Sequence, residues 1–244
     1  MTGTARSRPR RGPSLRDRLD ASDRPLVGLW ACSGSSSVVE ILADAGSDWL
    51  VIDVGHGPTG GEGLAAQLDA VAGYPLSPVV RVPGSAAIAQ ALDLGAQNLL
   101  VPGIGTAADA LAATGCLHDA DARVSLFAQI ESVEAVENAG AIAAVDGVDG
   151  VFVAPSDLAA SMGLLGQQTH AEVAAAVLAV IDGVRAAGKP VGVDARDPVA
   201  ADVFMRAGAT FLVAGSDLDL LARSAAAAAA PYLPPALGAR HAPY

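Results

Sequence analysis

The sequence predicts an α/β fold, a single-domain (β/α)8 TIM barrel, and three observations carry that prediction. Eight short apolar runs recur along the chain with little alternation, as parallel strands buried on both faces require. Ala-rich amphipathic stretches separate them, and several end in glycine just before the next run, a helix C-cap signal. The chain has 244 residues, the length over which eight βα units close into a barrel.

Taken in order, the strand candidates are VGLWAC (27–32), WLVIDV (49–54), SPVVRV (77–82), NLLVPG (98–103), RVSLFAQI (123–130), GVFVAP (150–155), PVGVDA (190–195) and FLVAGS (211–216). The helical stretches include SSVVEILADAG (36–46), AAIAQALDLG (86–95), VEAVENAGAIAAV (133–145), AEVAAAVLAVIDGVRAAG (171–188) and PVAADVFMRAGA (198–209). An open doubly wound sheet is the competing arrangement. It usually has fewer strands, and no GxGxxG follows the first run. The domain organisation read from this pattern is a disordered basic leader at 1–15, the barrel at 16–230 and a Pro-rich tail at 231–244.

Composition narrows the function classes. The chain is 52% hydrophobic and 17% charged, with a net charge of −11. That balance supports a large core and argues against nucleic acid, whose binders carry basic patches. Arg6, Arg8, Arg10, Arg11, Arg16 and Arg18 are the exception. They lie in or beside the Pro/Gly/Ser-rich leader and read as a solvated tail. No secretory h-region and no apolar run of membrane-spanning length is present, so a cytoplasmic protein is expected. The two cysteines, Cys32 and Cys116, are far apart and lack metal-type spacing, which suits a reducing compartment.

In such a barrel the chemistry sits at the C-terminal ends of the strands. The polar residues there are Asp53 and His56 after the second run, Arg81 in the third, Gln129 and Glu131 at the fifth, Ser156 and Asp157 at the sixth, Asp194 and Arg196 at the seventh, and Ser216 and Asp217 at the eighth. His56 stands in VIDVGHGPTG (51–60), where Asp, Gly and Pro also suit a plain turn. Glu131 and Asp157 follow adjacent strands. Each suits a helix N-terminus by itself. As a pair with open positions they describe a hard divalent-cation site, Mg²⁺ or Mn²⁺ by preference with Co²⁺ as a third option. Arg81 lies within VVRV, where a guanidinium requires a partner or a ligand, Asp53 among them. Lys189 is the sole lysine and precedes the seventh run. It therefore belongs at the far end of the barrel, which argues against imine catalysis.

At these residues the chain resembles the HpcH/HpaI family of metal-dependent, class II 2-oxo acid aldolases. The likeness runs from GLW (28–30) through DAGSDWLVIDVGHGP (44–58), PVVRV (78–82), ALDLGAQNLLVP (91–102), QIES (129–132) and VDGVDGVFVAPSDLAASMG (145–163) to FLVAGSDLDLLARSA (211–225). The resemblance implies that Glu131 and Asp157 hold the metal. It implies that His56 is the acid–base residue oriented by Asp53, and that Arg81 faces the keto oxygen and enolate. Main-chain N–H groups around Ser156 would receive the substrate carboxylate, with Gln129 and Trp30 lining the pocket. Two departures stand out. Gly55 replaces the usual acidic residue before the histidine, and the usual Pro-Pro-x-Gly-x-Arg-Gly segment is missing between TAADALAATG (106–115) and the fifth run.

The resulting expectation is a divalent-metal-dependent carbon–carbon lyase that cleaves or forms a 4-hydroxy-2-oxo acid through a pyruvate enolate. Its partners would be pyruvate and an aldehyde, with no nucleic acid and no membrane, in a homo-oligomer of the kind the family forms. The rivals are related enolate chemistry such as 2-oxo acid decarboxylation or a specialised biosynthetic step, a phosphate-binding isomerase barrel, and a non-catalytic aldolase-like barrel.

Overall fold

The structure is a computed structural model that describes residues 13–55, 61–117 and 124–233. Eight parallel strands close into a barrel in sequence order. They are β1 Leu26–Ala31, β2 Trp49–Asp53, β3 Ser77–Arg81, β4 Asn98–Val101, β5 Ser125–Ile130, β6 Gly150–Val153, β7 Val191–Asp194 and β8 Phe211–Ser216. Each lies within one of the eight apolar runs or one residue beyond it.

The strands are buried on both faces, which is why their sequences do not alternate. Outward-facing residues such as Leu50, Ile52, Val80 and Leu99 pack under the helices. Inward-facing Trp49, Phe127, Phe152 and Phe211 fill the barrel, with Trp49 and Phe211 in edge contact at 5.4 Å. Such large rings fit because glycine faces them. A Cβ on Gly28 would come within 2.4 Å of the Trp49 ring, and one on Gly192 within 2.3 Å of Phe211.

The helices around the strands are α2 Ser36–Asp44, α3 Gly61–Val71, α4 Ile88–Asp93, α5 Ala107–Gly115, α6 Val133–Glu137, α7 Ala139–Ala143, α8 Pro155–Ser161, α9 Ala171–Ala186, α10 Pro198–Ala207 and α11 Asp217–Ala229. The stretch at 133–145 is two short helices that break at Asn138. Asn138 turns its side-chain amide to the Gly105 carbonyl at 3.0 Å.

A further helix, α1 (Leu15–Ala21), crosses the N-terminal end of the barrel. Ser14 and Asp17 form a capping box at its start. Leu15 is fully buried and its N–H donates to Asn98 Oδ1 at 2.8 Å. Arg16 binds Asp149 at 2.5 Å and Arg18 donates to Ser77 Oγ at 2.9 Å. Arg16 and Arg18, expected in a solvated tail, thus anchor a helix; their partners are the Asp149 carboxylate just before β6 and the Ser77 hydroxyl on β3. Residues 1–12 and 234–244, which include most of the expected leader and tail, lie outside the described residues. Among the described residues no helix is long and apolar enough to cross a membrane.

Candidate active site

Side chains two apart on a strand share a face, and several inward rows change from apolar to polar toward the C-terminal end. On β2 the row is Trp49, Val51, Asp53; on β3 it is Val79, Arg81; on β5 it is Phe127, Gln129 and then Glu131. The fold therefore delivers these polar groups to one mouth above a dry core.

They form one connected chain. Asp53 and Arg81 are register neighbours on β2 and β3, and Arg81 Nη1 meets Asp53 Oδ1 at 3.2 Å. Arg81 Nε donates to Gln129 Oε1 at 3.1 Å, and Gln129 Nε2 donates to Glu131 Oε2 at 2.5 Å. The other oxygen of Glu131 accepts the Gly103 N–H at 2.8 Å. Asp53 is held further by the Trp30 indole N–H at 3.1 Å and the Gly55 N–H at 2.9 Å. Asp53, Arg81 and Gln129 are buried, so this network works in a medium where charge pairs and hydrogen bonds are strong.

A cavity of about 430 Å³ opens above it, lined by Arg81 and Glu131 together with Gly55, Ser85 and Gly103 among others. Gln129 and Trp30 do not line this cavity. Gln129 bridges Arg81 and Glu131 from below, and Trp30 packs on Phe152 with its N–H turned to Asp53. Ser156 and Asp157 are exposed in the first turn of α8, an end that no side chain caps. They stand at the end of β6, outside that cavity lining. His56 lies outside the described residues.

The donors for a cation are hard oxygens. Each Glu131 oxygen accepts one hydrogen bond and retains a second lone pair. Asp157 makes no hydrogen bond or ion pair among the described residues. Carboxylate oxygens are the donor type that Mg²⁺ and Mn²⁺ take; Glu131 lines the cavity and Asp157 stands outside its lining. Among the described residues no group of three or more His, Cys, Asp or Glu is disposed to hold a metal.

The opposite side of the mouth carries a second polar cluster. Arg196 makes two bonds to Asp194, both at 3.1 Å, and a further short contact to Asp219. Its Nη1 also reaches Ser216 Oγ at 3.4 Å. Burial raises the Asp194 carboxyl above its ordinary value, opposed by Arg196. For Arg196 burial works downward, and Asp194 and Asp219 outweigh it, so the guanidinium is raised and stays charged. Burial, with Asp217 and Asp53 nearby, pushes the Cys32 thiol up to about 12, which leaves it protonated and unreactive at neutral pH. Asp217 accepts the Cys32 and Ser33 N–H groups, both at 2.9 Å.

Sequence reasoning did not find the Gly103 N–H, the Trp30–Asp53 bond or the part played by Asp219. Main-chain donors leave no residue-type signal, and the other two depend on strand register and on a pair 23 residues apart. Lys189 lies at the far end of the barrel, its ammonium on the Val148 carbonyl at 2.8 Å.

A barrel with an arginine and a carboxylate held in one cavity at the strand ends has the framework of a barrel lyase. The sequence profile of the HpcH/HpaI aldolase/citrate lyase family matches residues 26–224, and the chain belongs to that family. It is 46% identical over 244 residues to a hydroxypyruvate/pyruvate aldolase of Paraburkholderia phytofirmans, covering 88% of this chain and 91% of that one. A 4-hydroxy-2-oxo-heptane-1,7-dioate aldolase of Salmonella dublin is 38% identical, with 89% and 93% covered. The crystal structure of a family protein from Burkholderia cenocepacia superposes with a TM-score of 0.83 at 36% identity, over 89% of this chain and 98% of that one. The protein is accordingly an enzyme of the lyase class, of aldolase type.

Proposed function

We propose that the protein cleaves or forms a 4-hydroxy-2-oxo acid through a pyruvate enolate, with a divalent cation as cofactor. The observation that carries this reading is the linkage of Arg81 and Glu131, through Gln129, on the wall of one cavity. The names of the relatives from P. phytofirmans and S. dublin both specify 2-oxo acid chemistry. Glu131 and Asp157 would hold the cation, which supplies Lewis-acid polarisation of the substrate carboxylate and keto oxygens when bound.

The chain's own residues account for the rest. In cleavage the 4-hydroxyl loses its proton, the C3–C4 bond breaks, an aldehyde leaves and the electron pair passes to the enolate oxygen of pyruvate. Arg81, prevented from swinging by Asp53 and Gln129, offers fixed positive charge to that oxygen. His56 is the proposed acceptor of the hydroxyl proton. Enolate C3 then takes a proton to give pyruvate. Main-chain N–H groups at the uncapped start of α8, around Ser156, are the proposed seat of the substrate carboxylate. Trp30 and Gln129 act on substrate through Asp53 and Arg81.

Release of pyruvate from 4-hydroxy-2-oxo acids tests the proposal, with oxaloacetate in parallel, on chelated protein before and after Mg²⁺ or Mn²⁺ is restored. Metal-restored release that is lost in His56→Ala and in Glu131→Gln is the expected result. Full turnover after chelation would remove the cation from the reaction. Pyruvate from oxaloacetate alone would establish the decarboxylase alternative.

A further inference from the structure

The Asp194–Arg196–Asp219 cluster belongs to the same mouth as the Arg81–Glu131 cavity. Gly192 and Asp194 share the inward row of β7, and Gly192 abuts Phe211 in the barrel interior. Strand register connects the clusters across β8, β1 and β2. Trp30 is paired with Ser216 on one side and Val51 on the other. Ser216 Oγ receives Arg196, and the Trp30 indole reaches Asp53, the partner of Arg81. The two polar groups therefore stand at the same end of the barrel, and a substrate extending from Arg81 toward β7 and β8 would approach the second.

The second group is predominantly acidic. Arg196 is spent on two carboxylates, with two bonds to Asp194 and one to Asp219, so a single cation answers two acidic groups. Asp217 stands at the start of α11, two residues from Asp219. Arg223, one turn along α11, is exposed and turned to the Asp219 carbonyl at 3.4 Å. Arg81 is engaged by Asp53 and Gln129 in the first group. The cationic groups thus provide for the 2-oxo acid half of the substrate. Among the described residues around the second group, each arginine is already turned to a partner within the protein.

We propose that Asp194, Arg196 and Asp219 form the acceptor side of the site and set its specificity, admitting uncharged short aldehydes and rejecting carboxylated or phosphorylated ones. The inference rests on the aldolase reading and deepens it. A like charge brought beside a partly buried carboxylate is disfavoured enough to separate the two aldehyde classes by about tenfold or more. Arg196 acts here as a positioning residue. Its fork holds both carboxylates at the ends of β7 and α11, so the repelling charge is fixed in place.

The test is condensation of pyruvate with glycolaldehyde and with succinic semialdehyde, by the Mn²⁺-supplied enzyme. Deuterium uptake into the pyruvate methyl group, with no aldehyde present, is followed in parallel. The expected result is at least about tenfold higher kcat/KM for glycolaldehyde. Added salt should narrow that ratio in the wild-type enzyme by speeding the anionic aldehyde. Asp219→Asn should narrow it several-fold further, while deuterium uptake stays measurable. Deuterium uptake with equal use of both aldehydes, or with a salt-independent ratio, overturns the inference and leaves the aldolase reading standing. A preference for succinic semialdehyde that Arg196→Leu removes would overturn it by making Arg196 an anion receptor. Absence of both deuterium uptake and aldol product would overturn the aldolase reading, and the inference with it.

Discussion

At the N-terminal end of the barrel Arg16 binds Asp149, Arg18 binds Ser77, and α1 covers the opening with Leu15 inserted. At the C-terminal end Arg81 binds Asp53 and Gln129, Arg196 binds Asp194 and Asp219, and a cavity remains above them. Both ends hold arginine–carboxylate contacts. The difference lies in what surrounds them. At the bottom each bond ties the covering helix to a strand: Asp149 also accepts the Leu126 N–H at 2.8 Å, and Ser77 donates to the Pro13 carbonyl at 2.8 Å. At the top the bonds fix charges in place beside open space. The same chemistry therefore closes one end and prepares the other.

That comparison is broken most strongly at Arg81. Arg81→Lys keeps a positive charge but loses the fork that meets Asp53 and Gln129 together. Pyruvate release should fall by about 10³-fold in kcat/KM with the circular dichroism spectrum unchanged. A loss that merely follows unfolding at the assay temperature would place Arg81 with the structural arginines of the lower end. The converse substitution is Leu15→Ala. Its buried side chain should cost about 3 kcal/mol and lower Tm by roughly 6–10 °C. Activity per folded molecule should not change. A fall in kcat/KM at temperatures where the variant is folded would show that the two ends are coupled.

A finer probe is Gly55, the residue before His56. A Cβ there would lie 2.6 Å from Arg81 Nη1 and 3.3 Å from Asp53 Oδ1. Arg81 is held by Asp53 and Gln129, so relieving that contact strains its bonds to both. Gly55→Ala should therefore lower kcat/KM by roughly tenfold and lower Tm by a few degrees, because a buried ion pair is loosened. If kcat/KM is unchanged, the position of Arg81 matters less than its charge.

The barrel was legible because burial on both faces writes each strand as a continuous apolar run, and eight such runs with intervening helices leave few topologies. Arg81 was legible for a related reason, since a guanidinium inside VVRV has to be accounted for. The placement of Asp53, Glu131 and Asp157 at strand ends could be read because each closes or closely follows an apolar run. What could not be read depended on register or on the main chain. Nothing in the sequence pairs Trp30 with Asp53, or Arg196 with Asp219, because those contacts arise from how strands align side by side. The Gly103 N–H donates to Glu131 without any side chain to announce it. Helix α1 did leave a signal, Ser14 followed three residues later by Asp17, but the arginine-rich composition around it pointed toward a tail.

The smallest expected effect separates the two ends by pH. Asp48, at the lower end before β2, accepts Arg24 at 2.6 and 2.9 Å and the Val27 N–H at 2.8 Å. Burial works to raise its carboxyl, but those bonds outweigh it, and the folded-state value falls below the ordinary 3.8. Asp194 at the mouth goes the other way, raised by burial despite Arg196. A depressed carboxyl contributes stability that is present above its unfolded value and lost as pH falls through its folded one. Asp48→Asn should thus lower Tm by about 2 °C at pH 7, the modest effect of a largely surface ion pair. The gap to wild type should shrink through the acid range below pH ~4, as Asp48 itself loses its charge. Melting curves of both proteins from pH 7 to pH 3 check this. A gap that persists undiminished in acid would mean that Asp48 holds β1 and β2 through its shape and its Val27 bond, and not through its charge.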